Sequence, residues 1–356
     1  MGQQGLAAWL RDYDAQELTL ASAVSHSSLQ IFHGARKEGF DTLGISAGDR
    51  DISYYDAFPL GKPHKFLRLK KYIDLFDHCD KLRKGNTVLV PHGSLVEYLG
   101  ADNYAKLPLP IYGNRKVLSW ESDRDRQREW LEGAKVTMPR KVADPKDIEE
   151  PVIVKYGGAK GGRGFFIAKS HADFKRHIQK GQPYTIQEFV LGTRYYLHYF
   201  HSPIVRDGYK TKHGSLQLMS IDRRDETNVD EMGRLGSTKE LEEAGINPTF
   251  VVSGNIPVVI RESLLPEVMR MGKAVVEKAH ELFGGLWGPF CLETVVTDDL
   301  EFRVFEISAR IVAGTNPFIG GSPYSEMIEP NLSTGRRIAR EIKMAAADGK
   351  LSKILT

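Results

Sequence analysis

The sequence predicts an α/β protein in which a mostly parallel N-terminal sheet is followed by two β-rich lobes. Three observations carry that reading. Residues 17–46 run strand, helix, strand, and residues 87–100 repeat the strand–turn–helix theme. From residue 152 onward the apolar segments become β-rich runs broken by glycines and polar turns.

The elements follow in order. "ELTLASAV" is a strand, and "SSLQIFHGARKEG" is a helix that buries Leu29, Ile31, Phe32 and Ala35, capped by Ser27 or Ser28 and closed by Gly39. "FDTLGIS" is the next strand. A charged helix ends near Gly133, and a Pro-bearing segment leads into the strand "VIVKY". Residues 152–220 are β-rich with one helix, "SHADFKRHIQKG". A long helix over "SLLPEVMRMGKAVVEKAHELFGG" turns Leu264, Val268, Met271, Val275 and Leu282 inward. "STGRRIAREIKMAAADGK" is a last amphipathic helix. With 356 residues, the chain is expected to divide into 1–120, 121–220 and 221–356.

Composition excludes several classes. The 49 Lys and Arg residues against 46 Asp and Glu leave a net charge of only +3, which argues against a nucleic-acid binder. No apolar run approaches the roughly 20 residues of a membrane span, and no signal peptide is read. Cys79 and Cys291 form neither a zinc spacing nor a disulfide framework, so a reducing cytoplasm is expected.

The sharpest chemical signal is "FCLETVVTDDLEFRVFEISAR" at 290–310, two apolar strands joined by a polar turn centred near Asp299 and Leu300. Folding there opposes Glu293 to Glu306, Val295 to Val304 and Cys291 to Ser308, with Arg310 on the same face. The other face, with Phe290, Leu292, Val296, Phe305, Ile307 and Ala309, is core. Two carboxylates about 5 Å apart at an effective dielectric near 20 repel by about 3 kcal/mol, so a shared proton or a cation is expected. All-oxygen ligands favour Mg²⁺.

"VIVKYGGAKGGRGFFIAKS" places a Gly-rich loop with Lys155, Lys160, Gly161, Gly162 and Arg163 between two strands. Such a loop lets backbone amides and cations reach phosphate oxygens. It is neither a Walker A loop nor a dinucleotide fingerprint, because no helix follows. "YTIQEFVLG" ends a strand at Gln187, Glu188 and Val190, which can offer backbone groups to a purine and an acid to a ribose. Taken alone, an ordinary edge strand is the better account of it. "VSHSSLQIF" and "VPHGSLVEY" set His26 and Ser94 at strand–helix junctions, where open α/β sheets bind ligands. Simple Ser capping competes at each. "SIDRRDETNVD" reads as a charged turn with Glu226, and Asn255 reads as a turn residue between β-rich runs.

The order of strand, Gly-rich loop, strand, "QEFV", then two acid-bearing strands ending in Arg310 resembles the ATP-grasp enzymes. The long stretches "SHSSLQIFHGARKEGF", "VPHGSLVEYLG", "YGNRKVLSWESDR", "GNIPVVIRESLLPEV", "GPFCLE" and "VFEISARIVAGTN" resemble one family within them. That family is the formate-dependent, archaeal-type 5-formaminoimidazole-4-carboxamide ribonucleotide (FAICAR) synthetase. The resemblance implies an N-terminal α/β substrate domain and the two lobes of an ATP-grasp. It also implies ATP-driven formylation of an aminoimidazole carboxamide ribotide (AICAR) by formate in purine synthesis.

By position, the resemblance implies that His26, Ser94 and Asn255 bind AICAR. Lys155, Lys160, Gly161, Gly162, Arg163, Gln187, Glu188, Val190 and Glu226 would bind ATP. Glu293 and Glu306 would hold Mg²⁺ or Mn²⁺, and Arg310 would act on the transferring phosphoryl group. A homo-oligomer is implied, with the "STGRRIAREIKMA" helix as a candidate interface. Ser308 stands where many ATP-grasp enzymes carry an Asn that ligates metal. Two other readings compete: a non-catalytic ATP or AICAR sensor, and a ligase for a different carboxylate.

Overall fold

The computed structural model describes residues 3–156, 164–236, 238–244 and 249–356. Its first layer is a parallel sheet of β1 (Thr19–Ala23), β2 (Asp41–Ala47), β3 (Lys65–Leu69) and β4 (Thr87–Leu89), in the order β3-β2-β1-β4. The Ser28–Lys37 helix crosses from β1 to β2, as the apolar spacing predicts, and buries Ile31, Phe32 and Ala35. Ser27 occupies the cap position, but its hydroxyl bonds the His26 ring instead of the helix amides.

The second layer is a small antiparallel sheet of β5 (Lys141–Val142), β6 (Val152–Tyr156), β7 (Phe165–Ala168) and β8 (Tyr184–Glu188), in the order β5-β8-β6-β7. It has its own core of Val142, Ile148, Val152, Val154, Ala168, Phe174 and Ile186. β8 is an inner strand, with β5 on one side and β6 on the other.

The third layer is a larger antiparallel sheet. It contains β9 (Thr193–Ser202), β10 (Tyr209–Thr211), β11 (Gly214–Asn228), β12 (Phe250–Pro257), β13 (Gly288–Val296) and β14 (Phe302–Ser308). The order is β10-β11-β9-β13-β14, with β12 also paired to β11. The Leu265–Phe283 helix packs beneath it through Val268, Met271, Val275, Val276, Ala279 and Phe283. Leu264, in the turn before the helix, and Leu282 pack against the same core as half-buried residues.

Two expected boundaries move. The break at 220 falls inside β11, and the chain changes sheets between Glu188 and Thr193. The reason is the ladder: β9 must lie between β11 and β13 to complete the large sheet. The break at 120 falls inside the short Val117–Glu121 helix.

The Thr334–Ala347 helix returns to the first layer and packs on the Ser28–Lys37 helix. A Cβ on Gly34 would lie 2.2 Å from the Arg336 amide nitrogen, and one on Gly335 would lie 2.3 Å from the Gln30 carbonyl. Glu38 clasps Arg336 and Arg340 at 2.7 Å each across the same contact. The buried face of this helix is therefore used within the chain.

Candidate active site

The predicted hairpin forms with Glu293 opposite Glu306, Leu292 opposite Ile307 and Cys291 opposite Ser308. Beyond Glu293 the register slips. Phe305 is an extra residue, so Thr294 pairs with Val304 and Val295 with Arg303 rather than Val304. This bulge sits beside the acids, where it bends the strand and aims Glu306.

The pairing continues across the sheet. Glu293 lies opposite Tyr196 on β9, and Tyr196 lies opposite Asp222 on β11. Directly opposed residues share a face, so Glu306, Glu293, Tyr196 and Asp222 form one polar row across four strands. Arg224, two residues beyond Asp222, reaches back along this face. It binds Glu293 at 3.1 and 3.4 Å, and its guanidinium lies 3.5 Å from the centre of the Tyr196 ring. Ser308 donates to Glu293 at 3.3 Å, so the hydroxyl that replaces the expected Asn supports the first acid.

Among the described residues, no cation forms an ion pair with Glu306. Desolvation by the cleft walls, then the Glu293 and Glu121 carboxylates, raise its pKa above the usual carboxylate range. Its side chain still reaches solvent, so the charge repulsion is the part the geometry secures. Lys155 on β6 faces the pair from the small sheet. Burial lowers its pKa, while Glu306, the strongest charge acting on it, and Glu293 pull the other way.

Arg310 follows β14 and is held by Glu121 at 2.9 Å. A Cβ on Gly93 would lie 3.2 Å from the Arg310 guanidinium carbon, and His92 and Ile311 form a parallel bridge. The end of β14 thus lies against the junction that follows β4. There the His26 and His92 rings stack, 5.5 Å between centroids and 4° from parallel. His26 holds a left-handed backbone, φ +56°, a conformation costly for a non-glycine residue. Burial first, then His92 and Arg310, lower the His26 pKa to about 3. Burial lowers that of His92 to about 4, against the bond from its Nε2 to the Ala23 carbonyl at 2.9 Å. Both rings are neutral at pH 7.

Ser94 does join this cluster. It accepts from Ser25 at 3.2 Å, Ser25 lies 3.3 Å from the Tyr98 hydroxyl, and Arg50 donates to Tyr98 at 2.7 Å. Arg50, Tyr98 and Ser25 were not singled out from the sequence. Their signal was available, since Arg50 follows the carboxyl end of β2, where open parallel sheets collect ligands.

Asn255 is an inner residue of β12, not a turn, and lies opposite Arg224. Its amide donates to Asp222 at 2.9 Å. "SIDRRDET" likewise forms β11 rather than a turn. Among the residues expected to bind ATP, Glu226 is bound by Arg194 at 2.8 and 2.9 Å, and burial raises its pKa against that pairing. Glu188 accepts from the Arg140 amide at 3.0 Å, Gln187 pairs with Lys141 and Ile153, and Val190 is half-buried in the crossing between sheets. Lys160, Gly161, Gly162 and Arg163 lie outside the described residues.

Among the described residues, no group of three or more His, Cys, Asp or Glu side chains is placed to hold a metal ion. The Glu293–Glu306 pair therefore suits a divalent ion completed by nucleotide phosphates and water.

Two β lobes facing one another over an acid pair, set on a parallel-sheet domain, define an ATP-grasp enzyme. One solved structure that it resembles is an IMP biosynthesis protein PurP from Thermococcus kodakaraensis. That match has a TM-score of 0.73 and 29% identity, and covers 95% of this chain and 100% of the other. The fold is also that of an N5-carboxyaminoimidazole synthetase from Staphylococcus aureus, at TM-score 0.61 and 14% identity, covering 91% of this chain and 77% of that one. Residues 20–142 match a family described as a protein of unknown function (DUF1246), and residues 173–356 a domain of unknown function (DUF1297).

Curated relatives span the whole chain. The 5-formaminoimidazole-4-carboxamide-1-(beta)-D-ribofuranosyl 5'-monophosphate synthetase of Methanosarcina barkeri is 58% identical over 99% of both chains. Its namesake from Pyrococcus horikoshii is 48% identical over 95% of this chain and 99% of its own. This chain belongs to the family of those synthetases.

Proposed function

We propose that the protein is an ADP-forming ligase that uses ATP and formate to formylate the 5-amino group of AICAR, giving FAICAR for IMP synthesis. The observation that carries the reading is the meeting at Arg310. The strand that bears Glu306 runs through Arg310 directly onto the His92–Gly93 junction and its stacked His26. A nucleotide held at the acids would end beside a ribotide held at His26, Ser94 and Asn255.

In this reading Lys155, Gln187, Glu188, Val190 and Glu226 line the ATP side. Glu293 and Glu306 hold magnesium or manganese, which neutralises charge on the phosphates when bound. Lys155 and Arg310 stabilise the transferring phosphoryl group. A formate oxygen attacks the γ-phosphorus and ADP leaves, giving formyl phosphate. The AICAR amine then attacks the formyl carbon, phosphate leaves, and the amine loses one proton. The Ser25–Ser94–Tyr98–Arg50 cluster suits the ribotide phosphate.

The test is ADP release from purified protein with ATP, Mg²⁺ and AICAR, with and without formate, while the ribotide is followed by mass. Formate-dependent release with a formyl mass gain is expected, and Glu293→Gln or Glu306→Gln abolishes it. Binding of ATP and AICAR without formylation would favour the sensor or a ligase for another carboxylate.

A further inference from the structure

Asp222 is fully buried and lies outside the roles assigned above. Its Oδ1 accepts from His198 Nε2 at 2.5 Å and its Oδ2 accepts from Asn255 Nδ2 at 2.9 Å. The backbone is closed over this contact. A Cβ on Gly314 would lie 2.3 Å from Asp222 Oδ1 and 2.8 Å from His198 Nε2, so only glycine fits there. From Gly314 the chain runs at once to Thr315 and Asn316. Thr315 accepts from Gln30 at 3.0 Å, and Asn316 donates to the His26 carbonyl at 3.1 Å. One buried carboxylate thus anchors Asn255 on one side and borders the segment that holds His26 on the other.

Each Asp222 oxygen is taken by a nitrogen donor, Oδ1 by His198 Nε2 and Oδ2 by Asn255 Nδ2. Asp222 therefore dictates which end of the Asn255 amide turns inward: the nitrogen. Among the described residues no donor reaches Asn255 Oδ1, and Asn255 shares the cleft face with Arg224, its direct partner across the ladder.

We propose that Asp222 is a positioning residue that sets the Asn255 carbonyl oxygen as a fixed acceptor in the cleft, selecting a ribotide whose heterocycle carries an exocyclic N–H donor. His198 holds Asp222 in place for this task. The proposal rests on the ligase reading and names what enforces part of its specificity. A site with a fixed acceptor rejects ligands that present a second acceptor, because both would be left unpaired.

The test is an amide–acid swap. In Asp222→Asn the introduced amide accepts from His198 and turns its nitrogen toward Asn255, so the Asn255 amide turns over and presents its nitrogen, not its oxygen, to the cleft. The KM for AICAR should rise by at least about tenfold, while kcat and the KM for ATP stay within about threefold, the scale of one lost directed hydrogen bond. The double variant Asp222→Asn, Asn255→Asp rebuilds the contact with reversed polarity. The amide introduced at position 222 accepts from His198 and donates to the new carboxylate, whose second oxygen again faces the cleft. The KM of this double variant for AICAR should return to within about threefold of wild type. An unchanged AICAR KM in the single variant, an equal rise in the ATP KM, or a folded double variant as impaired as the single would each overturn the proposal. If Asp222→Asn does not fold, as judged by circular dichroism, the double variant alone decides. Failure of the wild type to consume ATP with AICAR would sink the ligase reading itself; an active wild type with an indifferent Asp222→Asn sinks only this inference.

Discussion

Glu293 and Glu306 face each other on adjacent strands, yet their surroundings differ. Glu293 is neutralised by Arg224, while Glu306 is pressed by its neighbours toward the protonated form. A carboxylate whose pKa is raised by folding favours the native state fully below the ordinary carboxylate range, and that advantage fades as pH climbs from there to the raised value. Binding of a divalent ion needs the ionised form, so Mg²⁺–ATP affinity should strengthen over the same rise in pH. In Glu293→Gln the nearest like charge is gone, and Glu306 should titrate closer to an ordinary glutamate, as carboxyl ¹³C NMR would report. An unshifted titration would mean that desolvation alone holds it up. The pair itself was legible in the sequence, because strand alternation and one polar turn suffice to oppose two residues. Arg224 and Asp222 were not. Their run of charges resembles a surface turn, and only the four-strand row reveals that alternate members face a cleft. The histidines behave differently from the acids. With folded pKa values of about 3 and 4 against an ordinary 6.5, His26 and His92 leave stability unaffected above about pH 6.5. As pH falls below that, the unfolded chain takes up protons that the fold refuses, and stability declines. His92→Gln should flatten this acid limb in urea titrations between about pH 4 and 6.5; an identical slope would show that the burial matters little.

At the scale of elements, periodicity was the reliable guide. The β1–helix–β2 unit, the Leu265–Phe283 helix and the acid hairpin lie where apolar spacing places them. Register beyond the acids was not readable, because a bulge adds a residue without altering the apolar pattern on either side. The place where the chain changes sheets was equally hidden. β9 and β11 are long strands like any others, and which sheet they join is decided by partners far along the chain. The crossing of the Ser28–Lys37 and Thr334–Ala347 helices shows what backbone contact requires. Gly34 meets Gly335 and Arg336 with no room for a side chain. Gly34→Ala should cost about 1–3 kcal/mol as the helices are forced apart, measurable as a lower urea midpoint with an unchanged slope. Wild-type stability would show that the helices can slide without penalty.

At the scale of the molecule, the proposed site draws on segments that are distant in sequence. The parallel-sheet domain supplies His26, Ser94 and Arg50, the small sheet supplies Lys155, and the large sheet supplies Glu293, Glu306 and Asn255. Long stretches of family-specific sequence pointed to the family, while composition alone argued only against a nucleic-acid binder held mainly by phosphate contacts. Arg310 is the joint between the parts, tied to Glu121 and packed on Gly93.

The helix clasp also bears on how the protein is made. Arg336 grips Glu38 across 298 positions of chain. A ribosome delivers the first domain long before its covering helix exists, so the Ser28–Lys37 helix emerges with part of its packing surface bare. Such a chain cannot mature in order from its first domain onward. It must keep that surface from other chains until the far end arrives, and a message cut short before residue 334 would yield a first domain that is folded in part and prone to associate with its neighbours.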